Sequence, residues 1–241
     1  MARTYNDGNR QNGAKTLTDQ AYLKLRSDII HGVLMPEEKL RIEHLRESYG
    51  VGASPLREAL SRLTADGFVT AEGQRGFRVA PMSETDLADI TRMRILLEKQ
   101  ALSQSIEHGD DAWESQIVAT FYQLEKVEES EKRDPAEWEL RNHDFHEALI
   151  AGCTSKWLRR FYGILYDQHK RYRNIALSTE IPRDLHQEHE ALRNAALARD
   201  KQLACDAIEQ HIMRTAEITL RVLKEEADRE KEIAEVVATQ N

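Results

Sequence analysis

Apolar residues recur every three to four positions through most of the chain. The breaks in that rhythm divide it into short helices, one hairpin and then a run of long helices. From Thr18, the spacing of Ala21, Tyr22, Leu25, Ile29 and Ile30 predicts an amphipathic helix that stops at Gly32, with a turn at Met35-Pro36-Glu37-Glu38 after it. Leu40, Leu45 and Tyr49 predict a second short helix ending at Gly50. Ser54-Pro55 opens a third, with Ser54 as its cap and Pro55 at the first helical position. After Gly67, Phe68-Val69-Thr70-Ala71 and Gly76-Phe77-Arg78-Val79 flank Glu72-Gly73-Gln74-Arg75 and read as a short β-hairpin with a glycine-bearing tip. Three short helices followed by such a hairpin make a winged helix-turn-helix.

Beyond Pro81 the pattern is helical throughout, beginning with the capping sequence Ser83-Glu84-Thr85-Asp86. Helices are expected near 83–108, 111–131, 135–151, 155–178, 182–199 and 201–236, with Asp134-Pro135 opening the third. The charged ending of the last is expected to be a solvated extension. Residues 1–15, rich in Asn, Gly and Gln, lack apolar periodicity and read as a disordered lead-in. The fold class is therefore mainly α, with a winged helix-turn-helix over 16–80 and an all-α, six-helix bundle over 83–236.

Composition narrows the function. The chain has 241 residues and no run of about 18 apolar residues, and its first residues lack the apolar segment of a secretion signal, so a cytoplasmic protein without membrane insertion is expected. Cys153 and Cys205 stand apart, in no metal-binding or redox pair. The net charge of −8 argues against nucleic acid until it is divided along the chain. Residues 1–80 carry 12 Lys and Arg against 10 Asp and Glu, whereas residues 81–241 carry 22 against 32. Only the first segment suits a phosphate backbone.

The segment from Ile29 to Val79 resembles the GntR family of winged-helix regulators. The residues that carry the resemblance are Gly32, Leu40, Leu45, Gly50-Val51, Ser54-Pro55-Leu56-Arg57-Glu58-Ala59-Leu60, Leu63, Gly67 and Gly76. In a helix-turn-helix the start of the second helix faces base edges in the major groove, which places Ser54 and Arg57 there. A guanidinium can bond O6 and N7 of guanine together, so Arg57 is the candidate base contact. A surface ion pair with Glu58 or Asp66 is the competing reading. Arg62 on the same helix, Gln74 and Arg75 at the wing tip, and Arg41 and Arg46 beside the second helix are candidates for phosphate or groove contacts. The family often has Arg just before the Ser54 position; here Ala53 stands there.

Four polar residues fall on apolar arcs of the later helices when these are phased at about 100° per residue. Asn142 and His146 lie with Trp138, Phe145 and Leu149; His189 lies with Leu185, Leu192 and Ala196; His211 lies with Ala204, Ile208, Thr215 and Val222. Buried imidazoles and amides need partners. Three neutral His nitrogens and an oxygen suit a divalent metal, Zn²⁺ first, with Ni²⁺ or Mn²⁺ as alternatives. Taken singly, each His would more often be an ordinary hydrogen-bonded core residue.

Residues 86–215 resemble the FCD effector domain of the FadR subfamily of GntR regulators, through Arg94-Ile95-Leu96-Leu97-Glu98, Asn142-His143-Asp144-Phe145-His146, and Glu188-His189 followed by His211. The resemblance implies that Asn142, His146, His189 and His211 are the metal ligands. In metal-binding members the first of these positions is usually Asp. An amide in its place leaves the site more positive, which should weaken metal binding and strengthen attraction for an anionic effector. Arg94, Arg141, Tyr166, Arg171 and Arg173 are candidates to clamp an effector carboxylate, since Arg forks match that group. A further similarity, through Ile150-Ala151-Gly152-Cys153 and Tyr172-Arg173, is to carbon-starvation-induced repressors of glutarate and 4-aminobutyrate catabolism. It implies a short dicarboxylate such as glutarate as effector. The expected protein is a homodimeric repressor of a palindromic operator, released by that effector. The alternatives are a regulator for which the divalent ion is itself the signal, and a hydrolase using metal-activated water. No acidic residue is spaced as a general base for the hydrolase, and a winged helix would serve it no purpose.

Overall fold

The structure is a computed structural model that describes residues 16–73, 76–130, 134–176 and 184–239; the expected lead-in, 1–15, lies outside them. It divides into two units. One comprises the chain up to Ser83 together with Lys170–Asn174, and the other comprises Glu84–His169 and the chain from Ile175 onward.

In the first unit, α1 (Leu17–Ile30) starts at Thr16, whose hydroxyl accepts from the Asp19 N–H at 3.1 Å. β1 (Lys39–Leu40) precedes α2 (Ile42–Tyr49) and α3 (Ala53–Ala65), and β2 (Val69–Ala71) and β3 (Phe77–Val79) follow. The apolar faces of the helices, with Leu25, Ile29, Leu45, Leu56, Leu60 and Leu63, enclose one core that Phe68, Val69 and Val79 close from the sheet. Gly50 ends α2 at φ 66°, a left-handed conformation that a side chain resists.

Two expectations for this unit are corrected. The sheet has three strands in the order β1-β3-β2, all antiparallel, with Leu40 opposite Phe77 and Val69 opposite Val79. Leu40 therefore belongs to a strand and not to the second helix. Two residues carry no readable alternation, and their conformation is set by pairing with a distant strand. Nor does Ser54 cap α3: the cap is Gly52, with extended backbone, and Ser54 is the second helical residue. Pro55 is tolerated one turn in because the first N–H groups of any helix lack intrahelical acceptors.

The second unit contains α4 (Glu84–His108), α5 (Asp111–Glu128), α6 (Pro135–Leu149), α7 (Lys156–Ala176) apart from its Lys170–Asn174 stretch, α8 (Leu185–Leu197) and α9 (Lys201–Thr239). Carboxylate caps from Asp110, Asp134 and Asp184 satisfy N–H groups of Trp113, Ala136 and Gln187. Ion pairs Glu84–Lys224, Lys99–Glu209 and Glu107–Lys201 run in opposite sequence directions and make α4 and α9 antiparallel. A Cβ on Gly152 would lie 2.9 Å from the Ser105 backbone, so the turn after α6 approaches α4 as only glycine permits. The core, from Trp113, Ile117, Phe121, Phe145, Tyr162, Tyr166, Leu192, Ile208 and Ile212, holds α4 to α9 around a polar centre. Among the described residues no helix is long and apolar enough to cross a membrane.

Candidate functional site

α3 presents its outer face to solvent through Ser54, Arg57 and Glu58, while Leu56, Ala59, Leu60 and Leu63 hold its other face in the core. Arg57 has no ion-pair partner among the described residues, and Arg41 and Arg46 are exposed on either side of α2's buried Ile42 and Leu45. Arg62 differs: its guanidinium donates to Asp19 at 2.8 Å and lies 4.4 Å from the Tyr22 ring centre, turned toward α1. Gln74 and Arg75 lie outside the described residues. Arg78, not singled out from the sequence, is held by Glu72 at 2.8 Å and by the Glu37 carbonyl.

In the helical unit the sequence arcs converge. Asn142 and His146 are one turn apart on α6, His189 is on α8 and His211 on α9; all four are buried. One ligand nitrogen from each of the three His lies within 4.8 Å of the others. The ring centres are 4.9 to 5.8 Å apart. Each imidazole also has a carboxylate on its Nδ1. His146 pairs with Glu98 at 3.1 Å, His189 with Glu128 at 2.8 Å and His211 with Glu188 at 2.9 Å. A carboxylate accepts the Nδ1 proton, and that fixes the tautomer leaving an Nε2 lone pair for a ligand.

The remaining polar atoms indicate what the pocket holds. Nε2 of His146 and of His189, and Oδ1 of Asn142, are buried without a hydrogen-bond partner among the described residues. The Asn142 amide donates to the Tyr166 hydroxyl at 3.1 Å, which assigns its oxygen as the unmet acceptor. Burial is the main force driving the His146 pKa down to about 4, so this imidazole is neutral at physiological pH. For Glu98, burial opposes ionisation, but the Arg94 guanidinium and the His146 bond outweigh it and hold the carboxyl below its ordinary range. Buried acceptors without donors, the two imidazoles among them each backed by a carboxylate, are a poor core and a good cation site. The donor set fits a divalent metal.

Beside the triad, Arg94 is buried on α4. Its Nε donates to Glu98 at 2.9 Å, its Nη1 meets His169 at 3.1 Å, and its Nη2 has no partner among the described residues. Its guanidinium sits 4.7 Å from the centre of Tyr166, whose ring is 6.0 Å from that of His146. Arg94 and Tyr166 are thus brought to the triad. Arg141 is not: it is on the surface, donating to Gln123 and near Glu137. Arg171 and Arg173 are buried in the first unit, where Arg171 donates to the Ala80 carbonyl. Glu98, Glu128, Glu188, Tyr162 and His169 were not singled out for the pocket from sequence, yet all but Glu188 are fully or nearly fully buried.

Residues 17–79 match the family described as bacterial regulatory proteins, gntR family, and residues 89–214 match the FCD domain. The chain is 42% identical over 203 residues to the HTH-type transcriptional regulator BphR of Paraburkholderia xenovorans, covering 82% of this chain and 83% of that one. It is 41% identical over 199 residues to the HTH-type transcriptional repressor GlaR of Escherichia coli, covering 80% and 90%. The solved structure of E. coli McbR/YncC superposes with a TM-score of 0.73 at 21% identity over 86% of this chain and 98% of that one, a likeness of fold.

Proposed function

The chain belongs to the GntR family of bacterial regulatory proteins, as a member with an FCD domain, and on that premise we propose that it is a repressor released by a small carboxylate effector. It is a DNA-binding transcription regulator and not an enzyme. Regulators of this family bind operator DNA and generally act as dimers. In the reading proposed here, residues 16–80 are the DNA-binding domain and 83–236 the domain for effector and dimer. The operator is palindromic, because one recognition helix reads few bases and two half-sites multiply specificity. Arg57 reads a base, and Ser54, Arg41 and Arg46 hold phosphates. Repression is supported by the likeness to GlaR, a repressor by name.

The observation that carries the effector reading is the set of buried groups unmet among the described residues: two acceptors of the triad, the Asn142 oxygen, and the Arg94 Nη2 donor. His146, His189, His211 and the Asn142 oxygen would hold a divalent ion, Zn²⁺ before Ni²⁺ or Mn²⁺. When bound, that ion supplies positive charge and open coordination positions for an effector carboxylate. Arg94 and Tyr166 receive polar groups of the effector, which is a short dicarboxylate of the glutarate type. Release requires the effector to bind more tightly to a form of the dimer that fits the operator poorly.

The test combines metal analysis of the purified protein with operator binding and thermal shift in a panel of four- to six-carbon dicarboxylates. The expected result is stoichiometric metal, an acid that raises the melting temperature, and loss of operator binding with that acid. If chelation alone abolishes operator binding and no acid has any effect, the ion is the signal. If neither chelation nor any acid changes stability or binding, the pocket assignment is wrong.

A further inference from the structure

Tyr162 lies on α7 one turn before Tyr166, and both are buried. Among the described residues the Tyr162 hydroxyl has no hydrogen-bond partner. A phenylalanine there would fill the same space without burying an unmet polar group, so packing does not account for the oxygen. Burial first, then Glu98, Glu147 and Tyr166, keep this hydroxyl protonated well above the ordinary tyrosine range, with Arg94 opposing. It is therefore a hydrogen-bond donor at every pH at which the protein works.

Its surroundings show where the donor belongs. The Tyr162 ring centre is 5.7 Å from that of Tyr166, which also lies 4.7 Å from the Arg94 guanidinium and 6.0 Å from the His146 ring. Tyr166 is thus the common neighbour of two sets of unmet atoms. One set consists of acceptors, His146 Nε2 and Asn142 Oδ1; the other consists of donors, Arg94 Nη2 and the Tyr162 hydroxyl. Acceptors suit a cation and donors suit an oxygen anion, so the two sets around Tyr166 suit ligand groups of opposite charge.

We propose that Tyr162 is a specificity-determining residue of the effector pocket, its hydroxyl joining Arg94 Nη2 to receive the carboxylate at the end of the effector remote from the histidines. This rests on the carboxylate-effector reading. The residue selects dicarboxylates over acids of the same length with one apolar end, because only a second carboxylate satisfies both donors.

The experiment compares Tyr162→Phe with the wild-type protein by titration calorimetry with two probes, glutarate and pentanoate, in which a methyl group replaces one carboxylate. In the wild type glutarate binds more tightly. In the variant its affinity falls about tenfold or more, pentanoate binding is unchanged, and metal content and operator affinity without acid stay as they were. Equal affinity of both proteins for glutarate, or equal loss of both acids, removes Tyr162 from the pocket and leaves the effector reading standing. A wild type that binds neither acid overturns that reading and this one with it. An independent check needs no variant: in protein labelled with ¹³C at tyrosine Cζ, glutarate and not pentanoate shifts the resonance of a buried tyrosine, and an unmoved spectrum overturns the assignment.

Discussion

Each imidazole of the triad donates its Nδ1–H to a carboxylate, so the proposed metal affinity would depend on side chains that never touch the ion. Glu128→Gln keeps the shape beside His189 but removes the charge that makes the imidazole a better donor; metal affinity should fall 10- to 100-fold, read by competition with a chromophoric chelator. Asn142→Asp should do the reverse, tightening metal binding while weakening the carboxylate effector, because the added charge neutralises the site. On α3, the exposed Arg57 is the side chain whose loss should be felt at bases: Arg57→Ala is expected to cost about 1–3 kcal/mol of operator affinity and to relax preference at one position, measured by binding to a set of operator variants. The inward histidines were legible because helical phase puts them among apolar residues. Glu128 shared that signal, following Ile117, Phe121 and Leu124 on one arc, but a glutamate on a helix reads first as solvated. Only its contact with His189 reveals what it does.

At the level of elements, the turn between α2 and α3 depends on Gly50. Its left-handed backbone has open space where a Cβ would go, so Gly50→Ala isolates the backbone cost: about 1–2 kcal/mol less stability, seen in thermal unfolding, with no steric clash to confuse it. The long helices were readable because many turns repeat the same spacing and carry recognisable starts, as at Asp134-Pro135. β1 was not readable, since a strand of two residues has no period and exists only because β3 supplies its hydrogen bonds. The start of α3 was misplaced for a related reason: Ser54 has the chemistry of a cap, but the backbone turns into the helix at Gly52.

For the whole molecule, metal binding at the triad would be linked to folding. A divalent ion at about 100 times its Kd should stabilise the protein by about 2.7 kcal/mol if the unfolded chain does not bind it, and chelation should reverse the gain in a thermal melt. No change on either treatment would remove the ion from the site. The sequence by itself determined the order of helices, the winged reader ahead of a helical bundle, and which faces turn inward, because those follow from local spacing and capping that act within a few residues of one another. Only the tertiary structure decided which inward polar groups meet. It brought Arg94 and Tyr166 to the histidines, set Tyr162 beside Tyr166, left Arg141 at the surface, and assigned a carboxylate to each imidazole. Those choices depend on how separate helices rotate and cross, and no spacing within one helix encodes the distance to another.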